Sequence, residues 1–209
     1  MARLEDVIRR RLQGRAPRQV ATKTLRPAAV LVPLIRETDD YRLLLTVRAS
    51  SLRRQPGDIS FPGGAIDADD ASPLTAALRE SEEEVGLEPA DVDVLGQMDE
   101  IPTITGFRIT PFVGLVHCVS TRDSIPEILP STRPDAGPYA FRRNHEVEEL
   151  LFVPLAILRR PDVVSVELRE IAPGCQIPVY HYRYDEHHIW GITGRLVKEL
   201  LELLEIRSP

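Results

Sequence analysis

Between residues 28 and 48 the apolar positions run almost unbroken. Ala28 to Ile35 and Tyr41 to Arg48 are rich in Val, Leu and Ile, which predicts two strands. The polar tip Glu37-Thr38-Asp39-Asp40 between them predicts a hairpin. The rhythm then changes. Leu74, Ala77, Leu78, Ser81 and Val85 fall on one stripe at about 100° per residue, so Ser72 to Val85 reads as a helix. Ser72 is a good N-cap, Pro73 suits the first helical position and Gly86 stops the helix. Leu4, Val7, Ile8 and Leu12 predict a short amphipathic helix over residues 2–13. Val92 to Met98, Arg108 to Val119 and Leu150 to Pro154 read as strands, with a loop over 101–107. Val163 to Leu168 and Ile177 to Tyr184 predict a second hairpin, turning at Ala172-Pro173-Gly174. Leu196, Val197, Leu200, Leu203 and Leu204 form the core face of a closing helix.

Residues 120–144 break the pattern. Pro126, Pro130, Pro134 and Pro138 stand there with few apolar residues between them, so this is a long irregular loop. A loop of that kind either closes over a ligand or is a surface insertion. The 209 residues otherwise suit one domain over 1–209, with 1–20 as an N-terminal helix and linker. A net charge of −6 argues against nucleic acid or an anionic membrane as a partner. No apolar run approaches membrane-spanning length, and the first residues carry no signal-like core. Cys118 and Cys175 are too few for a disulfide framework, so the expected location is the cytoplasm. The oligomeric state is open, a homodimer included.

Charge brings in the chemistry. Glu80, Glu83 and Glu84 fall together on the helix face beside the apolar stripe, with Glu84 nearest its edge. Like charges a turn apart repel. Upstream, Phe61-Pro62-Gly63-Gly64 is a strand end running into a turn, where two glycines allow positive φ and close approach of a ligand. A glycine turn followed by clustered carboxylates suits Mg²⁺ held beside a diphosphate, because Mg²⁺ prefers oxygen ligands and shares them with substrate phosphates. Without the turn, the acidic face reads equally well as a solvated surface.

At these residues the chain resembles the Nudix hydrolases, whose signature is G-x5-E-x7-R-E-U-x-E-E-x-G-U, with U aliphatic. Arg79 to Leu87 match it, with Ser81 at an aliphatic position. Six residues after Gly64 comes Asp70 in place of Glu, and eight residues separate it from Arg79. The string LLTVRASSLRRQPGDISFPGG, Leu44 to Gly64, fills every fixed position of a second motif, that of the coenzyme A pyrophosphatase branch: L-L-T-x-R-[SA]-x3-R-x3-G-x3-F-P-G-G. The resemblance implies an α/β fold, a Nudix-like α/β/α sandwich with a mixed β-sheet. It implies Mg²⁺ or Mn²⁺ on Glu80, Glu83 and Glu84, with Glu83 and Glu84 catalytic and Arg79 orienting a glutamate. It implies hydrolysis of coenzyme A (CoA) to 3′,5′-ADP and 4′-phosphopantetheine.

Arg48 and Arg53 are fixed positions of the second motif, and guanidinium groups suit the phosphates of CoA. With Gly63 and Gly64 they are the expected substrate contacts. Glu146, in the late cluster Glu146, Glu148 and Glu149, is the candidate for the acid that Nudix enzymes often bring from a late loop as ligand or general base. His181, Asp185, Glu186, His187 and His188 admit a Zn²⁺ site, though strand alternation explains them equally well. Two alternatives stand beside a CoA hydrolase. One is a Nudix hydrolase of another nucleoside diphosphate derivative, such as ADP-ribose, NADH or a dinucleoside polyphosphate; the other is a non-catalytic sensor with the same pocket.

Overall fold

The computed structural model describes residues 3–22, 24–37, 40–52, 55–117 and 141–204. Helix α1 (Leu4–Gln13) precedes strands β1 (Arg26–Arg36), β2 (Tyr41–Arg48), β3 (Ile59–Ser60) and β4 (Gly63–Ala65), and then helix α2 (Pro73–Val85). Strands β5 (Val92–Gln97), β6 (Ile101–Pro102), β7 (Phe107–Val116) and β8 (Val147–Pro154) follow, with the single turn α3 (Leu155–Leu158). Strands β9 (Val164–Ala172), β10 (Cys175–Tyr184) and β11 (His187–Ile189) lead to α4 (Gly191–Leu204).

Strand β1 is the axis of a mixed sheet. It runs parallel to β7 from Arg26–Phe107 to Ile35–Val116. Its other side is shared: β4 pairs with its first half, at Ala29–Gly64 and Val30–Gly63, and β2 with its end, at Leu34–Leu43. Further out, β8 pairs with β2, while β5 and β6 pair with β7. Covered on both faces, these strands are apolar at nearly every position, which explains the unbroken runs in the sequence. Val32, Leu34, Leu43, Leu45 and Val113 meet Ile8 and Leu12 of α1 and Leu196, Val197 and Leu200 of α4. Ala29, Leu31, Ile35, Leu44 and Phe112 meet Ala76, Ala77 and Val85 of α2. The layers are helix, mixed sheet, helix, as expected.

Some boundaries differ. The stretch 101–107, expected as loop, opens with β6, because Ile101 and Pro102 pair with Ile109 and Arg108. The strand expected to Val119 ends at Val116. Of the long loop over 120–144, residues 120–140 lie outside the described residues, as does Cys118. The second hairpin forms as expected, with Gly174 at φ 75° in its turn. Together with β11 it makes a separate three-stranded sheet in the order β11-β10-β9. No described helix is long and apolar enough to cross a membrane.

Candidate active site

Helix α2 forms where local rules place it. Ser72 Oγ accepts the Thr75 N–H at 3.1 Å, Pro73 takes the first turn, and Gly86 closes the helix at φ 70° with its N–H on Glu82 O. Ser81, at the position where the family keeps an aliphatic residue, is fully buried and donates its hydroxyl to Ala77 O at 2.7 Å. A hydroxyl satisfied within its own helix can occupy an apolar position.

The three glutamates of α2 are unequal. Glu84 is only 6% exposed, Glu80 is half-buried, and Glu83 lies outermost. The two glycines place the inner pair. Gly63 N–H donates to Glu84 Oε2 at 3.1 Å. Gly63 sits at φ 151°, and a Cβ there would lie 2.4 Å from Ala29 O. A Cβ on Gly64 would lie 2.6 Å from the carboxylate carbon of Glu80. Of the two properties that glycine allows here, Gly63 uses both positive φ and close approach, whereas Gly64 uses close approach alone.

Burial pushes the Glu84 carboxyl up to about 7, and the charges of Glu80 and Glu146 add to the rise. The Gly63 N–H and Arg48 oppose it. Glu80 is raised too, first by burial, with Glu83 and Asp67 adding and Arg79 opposing. These carboxylates repel one another next to a glycine turn.

Arg79 organises the outer side. Its Nε and one terminal nitrogen hold Asp70 in a bidentate pair at 3.1 and 3.0 Å. The other terminal nitrogen donates to Glu80 at 2.9 Å and reaches Glu83 at 3.3 Å. Its proton is held more tightly than usual, first by Asp70 and then by the glutamates. Asp70, 4% exposed at its side chain, is in turn kept below the ordinary carboxylate range by Arg79. Asp70 is one carbon shorter than the glutamate of the signature and lies one residue further from Arg79. The bidentate fork shows its place.

Glu146 reaches the site through backbone contacts. Arg142 N–H donates to Val85 O and Asn144 N–H to Glu84 O, at 3.0 and 3.1 Å, so this segment satisfies carbonyls at the end of α2. Asn144 Oδ1 accepts the Glu146 N–H at 2.8 Å, and Ala49 N–H donates to Glu146 O at 2.8 Å. Asn144 was not singled out, since only the docking of this segment on α2 reveals it. Glu148 instead accepts the Ser50 N–H, and Glu149 lies beside His187, so the three acids of the late cluster diverge.

Arg48 ends β2, and its charge acts on Glu84. Its Nε is buried without a hydrogen-bond partner, an unsatisfied donor at the site. Arg53 lies outside the described residues.

The donor chemistry fits a hard divalent cation. Glu80 and Glu84 offer carboxylate oxygens whose pKa values are raised first by burial and then by neighbouring carboxylates, and a dication would offset both. Among the described residues no three His, Cys, Asp or Glu side chains converge into a ready-made cage. Mg²⁺ does not need one, since it keeps waters and takes substrate phosphates to complete its shell. Among the described residues the histidines form no such cage either: His181 Nδ1 and His188 Nε2 stand 2.9 Å apart with their rings stacked, across the β10–β11 ladder.

The chain is similar to known proteins over most of its length. A family model described as NUDIX domain matches residues 25–173. The chain is 34% identical over 195 residues to a protein of Citrobacter koseri described as an uncharacterized Nudix hydrolase, NudL, covering 90% of this chain and 89% of that one. The protein of that description from Cronobacter sakazakii is 36% identical over 178 residues, covering 84% and 81%. A solved structure of a Nudix hydrolase from M. smegmatis, RenU, aligns with 63% of this chain and 71% of its own, at 22% identity and a TM-score of 0.46.

Proposed function

The chain belongs to the Nudix hydrolase family, and within it we propose that it cleaves the diphosphate bond of coenzyme A and its derivatives, giving 3′,5′-ADP and 4′-phosphopantetheine. One observation carries this reading. Two fixed parts of the upstream motif, Arg48 and the Gly63-Gly64 turn, both act on the inner glutamates of α2. This link between the motif and the acidic face of α2 is what supports the reading.

A P–O–P link is anionic and repels nucleophiles, so its hydrolysis needs charge neutralisation and a positioned water. Glu80, Glu83 and Glu84 would hold Mg²⁺ or Mn²⁺, which when bound neutralises phosphate charge and acidifies water. Arg79, anchored by Asp70, orients Glu80 and Glu83. Gly63 N–H fixes the rotation of the Glu84 carboxylate. Arg48, whose charge already acts on Glu84, would offer its guanidinium to a phosphate of the substrate. Glu146 takes the proton of the attacking water. The thiol of Cys175 is free and exposed, which suits a reducing cytoplasm.

The test is product analysis. CoA incubated with the protein and Mg²⁺ should yield 3′,5′-ADP and 4′-phosphopantetheine in equal amounts by chromatography. Saturable binding of CoA with neither product would make the chain a sensor and overturn the reading.

A further inference from the structure

Most of the exposed large apolar residues gather in one place. Among the described residues these are Ile104, Val166, Leu168, Ile171, Ile177 and Trp190, and all but Ile104 belong to the β9–β11 sheet or adjoin it. Val166 and Leu168 alternate along β9, at 55% and 64% exposure, and so share one face of the strand. Strand β9 is also an edge: β10 pairs along one side, and no described strand takes the other. Natural edges are guarded by charged side chains, Lys above all, by Pro or by a bulge, and the charges of β9 are Glu167, Arg169 and Glu170. Strand β9 contains no Lys or Pro, and the register shift of its ladder is confined to Cys175 and Gln176 beside the turn.

The charges along β9 choose a partner. Around a two-fold axis, an antiparallel strand can pair with its own copy only in registers centred on a residue, because opposite side chains must share a face. Centring on Glu167, Arg169 or Glu170 sets like charges against each other, which destabilises the pair. Centring on Leu168 sets Glu167 of each copy against Arg169 of the other, on one face. On the opposite face it brings the two Leu168 side chains together, with Val166 of each copy beside them and opposite Glu170 of the other. Glu167 and Arg169 already lie 3.3 Å apart within one chain, so exchanging partners keeps both ions satisfied.

We propose that β9 pairs antiparallel with β9 of a second copy, centred on Leu168, joining two three-stranded sheets into one six-stranded sheet across a two-fold homodimer. The interface lies on a sheet separate from the one that holds the glutamates of α2. It does not depend on which diphosphate the chain cleaves.

Sedimentation velocity of the full chain over a concentration series tests this. The wild type should sediment as a dimer that dissociates on dilution. Glu167→Arg sets Arg against Arg169 twice and should weaken the dimer about tenfold or more. The double exchange Glu167→Arg with Arg169→Glu restores opposite charges and should restore the dimer. Circular dichroism and thermal melts of each variant establish that the fold is intact. A wild type that stays monomeric at every concentration overturns the proposal. So does a dimer that Glu167→Arg leaves unchanged, or a double exchange of intact fold that fails to rescue it.

Discussion

Gly64 and Glu80 are in contact across the space that a single methyl group would fill: the missing Cβ would lie 2.6 Å from the glutamate's carboxylate carbon. The contact exists because β4 pairs with β1 while α2 packs on the same strand, so the glycine backbone and the glutamate head meet above it. Gly63, one residue earlier, faces first the backbone of Ala29 and Val30, which cannot swing aside.

That difference separates two outcomes. Gly64→Ala pushes aside the mobile end of Glu80, so it should melt within a few degrees of the wild type while losing about tenfold or more in kcat. Gly63→Ala strains φ and collides with Ala29 O, and should cost about 1–3 kcal/mol of stability. Thermal melts and steady-state kinetics on both variants check this. Equal loss of stability in the two would contradict the contact geometry.

Glu84→Gln preserves the shape of the side chain and leaves an amide oxygen to accept the Gly63 N–H. It also removes a charge that burial disfavours, so stability should not fall. Turnover should drop about 100-fold, since one anionic oxygen leaves the cation site. Glu83→Gln should lose a similar factor despite its exposure. Near-wild-type turnover in both would refute the metal assignment.

Asp70→Ala frees Arg79 from its bidentate partner while leaving the glutamates themselves unchanged. Residues that hold ligands in place typically contribute 10–100-fold, so activity at limiting Mg²⁺ should fall by about that factor. The concentration of Mg²⁺ for half-activity should rise. A variant with an unchanged Mg²⁺ response would mean that Arg79 is oriented without Asp70.

Asp99 predicts how the fold responds to acid. Burial alone would raise its carboxyl, yet hydrogen bonds from Arg15, Arg18 N–H and Arg18 Nε hold it at about 2. A folded pKa below the unfolded value stabilises the native state above the unfolded pKa, and that support is lost as pH falls from about 4 to about 2. It amounts to about 2 kcal/mol. Asp99→Asn should therefore lower Tm near neutral pH and make little difference near pH 2. An equal loss at both would show that the carboxylate charge is not what binds this segment.

Local signals made much of this legible in the sequence. Ser72, Pro73 and Gly86 bound α2 through their own backbone chemistry, so its limits need no tertiary information. The unbroken apolar runs of β1 and β2 announced strands covered on both faces. Features made by chain crossings were not legible. The Gly64–Glu80 contact depends on β4 lying under α2, and β4 is too short to show a period. Asn144 matters because a distant segment docks on the end of α2. Asp70 was obscured by its spacing, since a shorter acid one residue further back can still meet Arg79 once the chain turns between Asp67 and Asp70.

The most direct test of the central claim is a competition for turnover. CoA, oxidised CoA, ADP-ribose, NADH and a diadenosine polyphosphate would be supplied at matched concentration with Mg²⁺ or Mn²⁺, and kcat/KM measured for each by chromatography of the products. CoA and its derivatives should lead, releasing the 3′,5′-bisphosphate nucleotide ahead of every other product. A higher kcat/KM for ADP-ribose, NADH or the dinucleotide would contradict the assignment of the Leu44–Gly64 motif to coenzyme A.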